Sequence, residues 1–207
     1  MDTFNIDDIK SLLPQELSEQ KKGRLITALK QFHSKDIAQK NYTDFYSTSS
    51  FSYFLQGDLV KDLRFPSWDD ESGTFEKVYH NVVLISNTCD MDENNPRDIP
   101  KQVMIAKLIE LDKFENALHE LEVTNSDVII NNVKSQHYSN IIYLPFTKDA
   151  EYIAYLDEIS WISLEELKAL KKDIDMNRIS ILDHFGFYLF VFKLSYHLHR
   201  LPEATDR

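Results

Sequence analysis

The sequence has a single cysteine, four glycines and six prolines among its 207 residues. One cysteine excludes an intrachain disulfide. So few glycines disfavour the glycine-rich phosphate loops of nucleotide-binding proteins, and no dinucleotide-binding or P-loop signature occurs. The chain is nevertheless long enough to bury a sizeable core, so we expect one main domain.

Basic residues are also scarce, with 23 Lys and Arg against 34 Asp and Glu, a net charge of -11. The acidic excess is densest between residues 51 and 100, which carry four basic and ten acidic side chains. Nucleic-acid-binding proteins neutralise phosphates with basic groups, so this charge argues against a nucleic-acid partner and favours a protein partner of basic character. The first residues lack a basic segment followed by an apolar run, so we expect a cytoplasmic chain.

Hydrophobic periodicity predicts an α+β protein with a small, curved, barrel-like (SH3-like) sheet. We expect a helical segment over residues 1–50, the β-rich core over 51–160 and C-terminal helices that pack on it over 161–207. Helical spacing after Pro14 is carried by Leu17, Leu25, Ile26, Leu29 and Phe32. The predicted strands are Gly57–Val60, Val82–Ile85, Gln102–Leu111, Asn140–Pro145 and Tyr152–Leu156. Further helices are predicted over Phe114–Leu121, from an N-cap at Ser126, and from a capping box at Ser163 and Glu166 to about Lys172.

The last predicted helix runs from near Asp183 to about Arg200 and is apolar on nearly every face. Such a helix must be buried on several sides, either in the core or in an interface between copies of the chain. A membrane span needs about 20 predominantly apolar residues. The polar residues His184, Lys193 and His197 interrupt the helix too often for that, so we expect no membrane contact.

The most informative segment is the apolar strand Val82–Ile85 and the small polar residues after it, because it leads the only cysteine, Cys89, into an acidic loop. Three interpretations stay open. Cys89 is a small buried packing residue, or it lines a binding pocket, or it is a catalytic nucleophile. The pocket would be built by Ser86, Asn87 and Thr88.

The catalytic interpretation requires a base and an orienting group near Cys89. His80 or His137 would be the base, and Asp90 would be the orienting carboxylate. The sequence alone does not bring either histidine to the cysteine.

The acidic stretch that starts at Asp90 invites comparison with a calcium loop, but the match fails. Its sixth position is Asn95 where glycine is needed, and its twelfth is Lys101 where a bidentate glutamate is needed. One cysteine and scattered histidines give no zinc-ligand spacing either. We therefore predict no metal and no cofactor.

A second candidate surface is the predicted turn Phe65–Gly73, which contains Trp68, Asp69 and Asp70. A charge run in a turn is usually a solvated loop tip. The functional alternative is an acidic patch for a basic partner, with Trp68 as an aromatic anchor.

The opening Gly57–Val60 strand and the later Val82–Ser86 strand resemble small-barrel bacterial toxins of the PemK and MazF type over about 30 residues. This resemblance implies an SH3-like barrel and RNA cleavage. Those toxins usually carry an Arg-Pro pair before the second strand, whereas this chain has Lys77–His80 there.

The chain is also similar to a group of uncharacterised bacterial proteins over about residues 57 to 200. The shared features are the Gly-Asp strand, the Ser86–Asp90 strand end, Tyr143–Pro145 and the stretch from Arg178 to Arg200. This similarity implies the architecture and marks Cys89 and Asp90 without implying a reaction.

Taken with the acidic composition, these features predict a non-enzymatic interaction or regulatory module of a bacterial cytosolic system, related to stress or phage defence. The alternatives are a PemK-like endoribonuclease, a Cys89-dependent hydrolase and a small-ligand-binding domain. If the protein forms homo-oligomers, the C-terminal helix is the expected interface.

Overall fold

The structure, a computed structural model, describes residues 18–30, 42, 44–95, 102–147 and 150–199. These residues form an α+β fold with one six-stranded sheet, in which every neighbouring pair of strands is antiparallel. The α+β prediction is thus confirmed. Within the described residues the sheet is open, with β4 and β6 at its two edges, so closure into an SH3-like barrel is not confirmed.

The strands follow the spatial order β4-β5-β3-β2-β1-β6. They are β1 (Leu59–Asp69), β2 (Thr74–Leu84), β3 (Gln102–Glu110), β4 (Ile141–Leu144), β5 (Tyr152–Ser163) and β6 (Arg178–Ser180). The helices are α1 (Glu19–Lys30), α2 (Thr88–Met91), α3 (Leu111–Glu120), α4 (Ser126–Lys134), α5 (Leu164–Leu170), α6 (Ile174–Asn177) and α7 (His184–His199), with a 3₁₀ turn at Lys171–Asp173.

Both faces of the sheet are covered at its centre, which explains why Val82–Ile85 is continuously apolar. Side chains alternate between faces along a strand, so a run with no polar residue must be buried on both sides. Val83 packs with α1 and α7 on one face, and Val82 and Leu84 pack with α5 on the other. A third cluster joins α3 and α4 to β4 and β5.

Helix α7 lies in the core. Phe190 and Leu189 are fully buried, and the polar residue Lys193 is 1% exposed. The Lys193 ammonium donates to the backbone oxygen and to the side-chain Oε1 of Gln136, at 3.2 and 2.7 Å. The apolar side chains of α7 therefore belong to this chain's own core. This is the first of the two environments expected for the helix, the other being an interface between copies. No described helix is long and apolar enough to cross a membrane.

Several predicted boundaries need correction. The segment Phe65–Gly73 is not one long turn, because β1 continues to Asp69 and only residues 70–73 turn. Asn125, rather than Ser126, is the N-cap residue of α4. Ser163 caps α5 as predicted, accepting a hydrogen bond from the Glu166 amide at 3.2 Å, but the Glu166 carboxylate pairs with Arg64. Leu17 and Phe32 lie outside the described residues.

Candidate functional site

Cys89 is exposed, so its interpretation as a buried packing residue is wrong. It lies in the first turn of the four-residue helix α2, next to the half-buried Asp90. The N-cap Asn87 holds this turn, since its side-chain oxygen accepts from the Cys89 amide at 2.9 Å. The Cys89 thiol therefore lies at the surface, at the start of α2.

The predicted pocket residues around Cys89 bond mainly to the fold itself. The Ser86 hydroxyl accepts from the Met104 amide at 2.8 Å, and the Thr88 hydroxyl accepts from the Gln56 amide at 3.0 Å. Together with the Asn87 cap, these bonds fix the end of β2 against its neighbours. Ser86, Asn87 and Thr88 thus have a clear structural role.

A pocket of about 390 Å³ does lie beside Cys89 and Thr88. Its lining is mixed: Phe54, Leu164 and Leu167 supply apolar surface, and Asp92 and Asn94 supply polar groups. The lysines at its rim are already paired, because Lys171 lies 2.9 Å from Glu93 and Lys168 lies 2.9 Å from Glu165. Ser86, Asn87 and Asp90 are not among the lining residues.

His80 belongs to a different cleft, of about 480 Å³, where β2 and β3 separate. Partial burial lowers its pKa, and the nearby Lys107 ammonium lowers it further, while Glu158 opposes them. This cleft and the Cys89 pocket share no lining residue, and the exposed His137 lies in neither. The described residues therefore do not bring a histidine base to Cys89.

The outer halves of β1 and β2 form a two-stranded hairpin that extends beyond the rest of the sheet. Its most prominent side chains are Trp68, Phe75 and Tyr79, which are 54%, 71% and 66% exposed. Trp68 is directly opposite Phe75 in the register, and their rings meet edge to face with centroids 5.1 Å apart. Tyr79 follows Phe75 by four residues, so it points to the same side of the strand. We call these three residues the aromatic face.

The turn of the hairpin is acidic. The Asp69 carboxylate accepts from the Glu71 and Ser72 amides at 3.2 and 3.0 Å, and the hydrogen bonds from Ser72 lower its pKa. Gly73 completes the turn with a left-handed φ of 65°. Asp69 thus shapes the turn, whereas Asp70 and Glu71 are exposed at its tip. The structure places Trp68, Asp69 and Asp70 together, with Trp68 on a strand rather than in a loop.

Comparison with known proteins finds no family model and no curated protein that matches this chain.

A buried ion pair holds the segment that lines the Cys89 pocket. The sequence did not mark its two members as interacting. Asp58 and Arg178 form a buried ion pair, with Arg178 Nε 2.9 Å from Asp58 Oδ2. Arg178 also donates from Nη1 to the Phe51 oxygen at 2.9 Å and from Nη2 to the Tyr53 oxygen. Its guanidinium carbon lies 5.2 Å from the centre of the Phe54 ring. Arg178 therefore anchors the segment that supplies one wall of the pocket.

Proposed function

We propose that the protein is a non-catalytic interaction module that binds a basic segment of another protein on the aromatic face. The observation that carries this proposal is the exposure of Trp68, Phe75 and Tyr79 side by side on one hairpin. Large exposed apolar patches mark interaction sites, and tryptophan and tyrosine dominate the binding energy of many interfaces.

The charge around the aromatic face favours a basic partner. Asp69, Asp70 and Glu71 lie at the turn beside this face, whereas Lys77 lies on the face itself, between Phe75 and Tyr79, so the acidic charge is concentrated at the end next to Trp68. Arginine and lysine side chains can stack on aromatic rings while pairing with the neighbouring carboxylates. The net charge of -11 would also increase the association rate of a cationic partner.

The wider setting is part of the same proposal and is supported by the sequence resemblance. It comprises a bacterial, cytoplasmic protein with a role in stress or phage defence and a curved sheet related to SH3-like barrels. The hydrolase alternative has less support, because Cys89 and His80 line separate clefts. The endoribonuclease alternative would need affinity for an anionic substrate, which the acidic surface opposes. For a small ligand, the pocket beside Cys89 would be the binding site.

Removing Trp68 should weaken binding of a basic peptide by about tenfold or more, since interface aromatics often contribute ~2 kcal/mol. The probe is a short extended peptide in which arginine alternates with leucine, titrated by calorimetry into wild-type protein and Trp68→Ala. A peptide with glutamate in place of arginine should bind far more weakly.

The matched control is Trp161→Ala. Trp161 is the chain's other tryptophan and is 59% exposed, but it lies on β5, outside the hairpin. Its removal should leave the affinity unchanged, and both variants should keep the melting temperature of the wild type. Equal losses in the two variants, or no preference for the basic peptide, would contradict the proposal.

A further inference from the structure

Strand β2 has an unpaired edge. It pairs with β1 along its whole length, but with β3 only at Val82, Val83 and Leu84. In the described part of the chain, Thr74–Asn81 therefore has a strand on one side only. Thr74–Lys77 is exposed throughout, so no other described residue covers this stretch.

The hydrogen bonds at the end of β2 identify the backbone groups that point to the unpaired edge. The Leu84 amide donates to the Asp58 oxygen and the Leu84 oxygen accepts from the Gly57 amide, at 3.0 and 2.8 Å, so Leu84 bonds toward β1. The Ile85 amide donates to the Met104 oxygen at 2.8 Å, toward β3. Successive residues of a strand bond to opposite sides.

Counting back from Leu84 along β2, the N–H and C=O groups of Asn81, Tyr79, Lys77 and Phe75 point away from β1. The alternation along β2 is unbroken, because the extra residue of the bulge lies on β1, where the register jumps from Val60 to Leu63. Four residues thus present both donor and acceptor to the unpaired edge.

The outer edge of β1 differs from that of β2. It is also unpaired beyond the contact of Leu59 and Val60 with β6 among the described strands. However, it carries the bulge at Asp62, with a φ of 52°, and Pro66, which has no N–H to donate. Bulges and prolines protect an edge from pairing. The edge of β2 has neither, so it is suited to accept another strand.

We propose that Phe75–Asn81 pairs antiparallel with the same segment of a second copy of this chain, about a two-fold axis at Val78. The two copies of β2 would then belong to one continuous sheet, with the two-fold axis perpendicular to it. Residues directly opposite each other in the two copies therefore lie on the same face of that sheet. With Val78 opposite itself, Glu76 is opposite His80 of the second copy, and Lys77 is opposite Tyr79 of the second copy. Each pair occurs twice: the Glu76 carboxylate can accept a hydrogen bond from the His80 imidazole, and the Lys77 ammonium can stack on the Tyr79 ring.

The neighbouring registers are worse. An axis at Lys77 or at Glu76 places two like charges directly opposite each other, which is destabilising. An axis at Tyr79 leaves only Lys77–Asn81 free to pair, because Glu76 would lie opposite Val82, where β3 already occupies the edge. An axis at Val78 pairs the longer stretch Phe75–Asn81 and opposes no like charges, so we place the centre there.

Pairing in this register would also extend the aromatic face. Phe75 and Tyr79 of both copies would lie on the same side of a four-stranded ribbon, with Trp68 of each copy at its ends. The pairing does not depend on the proposed basic partner, and it can be tested without one.

The test is disulfide trapping in a Cys89→Ser background, which removes the exposed native thiol. Directly opposed residues of a non-hydrogen-bonded antiparallel pair have Cα atoms about 4.5 Å apart, within disulfide range. The variant Val78→Cys, incubated with oxidised glutathione, should therefore run as a reducible dimer on a non-reducing gel. In the matched variant Lys77→Cys, the two cysteines lie two positions out of register, with their Cα atoms about 8 Å apart. This variant should crosslink several-fold more slowly.

All variants are first checked for wild-type melting temperatures. Faster crosslinking of Lys77→Cys than of Val78→Cys would overturn the proposed register. Failure of both would overturn the pairing. Slowed amide exchange at Phe75, Lys77 and Tyr79 on adding an extended peptide, with Val78→Cys still monomeric, would assign the edge to a peptide instead of a second copy.

Discussion

Replacing Arg178 with methionine should lower the free energy of unfolding by about 3–5 kcal/mol at about pH 9. The Arg178 side chain is 5% exposed and that of Asp58 is fully buried. Methionine retains apolar volume but leaves the Asp58 carboxylate as an uncompensated buried charge. The oxygens of Phe51 and Tyr53 lose their guanidinium donor as well.

The loss should shrink at lower pH. Burial raises the pKa of Asp58 to about 7, although the Arg178 charge acts in the opposite direction. In the unfolded chain an aspartate titrates near pH ~3.9, so the folded protein binds the extra proton between these values, and its stability falls as the pH rises from about 4 to 7. Removing Arg178 raises this pKa further, so the variant is penalised most above about pH 7, where wild-type Asp58 is ionised.

The measurement is urea denaturation of both proteins at about pH 5 and about pH 9, with Arg64→Met as the matched control. Arg64 pairs with Glu166 at 2.8 Å, but these side chains are 42% and 26% exposed. A pair so accessible to water contributes about 1 kcal/mol or less. Equal losses in the two variants, or an Arg178→Met loss that is larger at the lower pH, would contradict the buried-pair account.

Replacing Phe190 with alanine should cost about 3–5 kcal/mol, since it removes a fully buried aromatic side chain. Phe190 is at 0% exposure in the cluster that joins α7, α1 and the sheet. The control on the same helix is Leu198→Ala, whose side chain is 58% exposed and whose loss should change stability by no more than about 0.5 kcal/mol.

Thermal and urea unfolding of these two α7 variants decide between a core helix and a helix that is buried only on association. Similar small effects at both positions would mean that Phe190 is not in a packed core. The core account instead predicts a large difference at any protein concentration.

The parts of the fold that could be predicted from the sequence are those with a buried face. Val82–Ile85 and the apolar helix α7 were predicted because burial leaves a continuous or periodic apolar pattern. Strand β5 was predicted only to Leu156, whereas it extends to Ser163, because its outer half alternates less regularly.

The hairpin escaped prediction for the opposite reason. A two-stranded ribbon in water has little buried surface to impose alternation, so Thr74–Lys77 has no apolar pattern. Pro66 favoured a turn there, although proline is tolerated at a strand edge. The sequence singled out Trp68 as a candidate anchor, and its side chain is exposed, but Phe75 became its neighbour only through the register.

The Asp58–Arg178 pair could not be predicted, because its members lie far apart in the sequence and meet only when β6 pairs with β1. Gly57 carries a partial signal. Its φ of 87° disfavours other residues, and a Cβ there would lie 2.6 Å from Leu182 Cδ1. The Gly-Asp motif thus marks a tightly packed strand start rather than a reactive site.

The central claim is that a partner binds the aromatic face, and the most direct measurement asks which tryptophan that partner covers. Oxidative labelling of Trp68 and Trp161 would be compared in the wild-type protein with and without saturating basic peptide. Both side chains are more than half exposed, so each serves as the other's reference. The account predicts that labelling of Trp68 falls several-fold while that of Trp161 is unchanged. Protection of Trp161 alone, or equal protection of both, would contradict it.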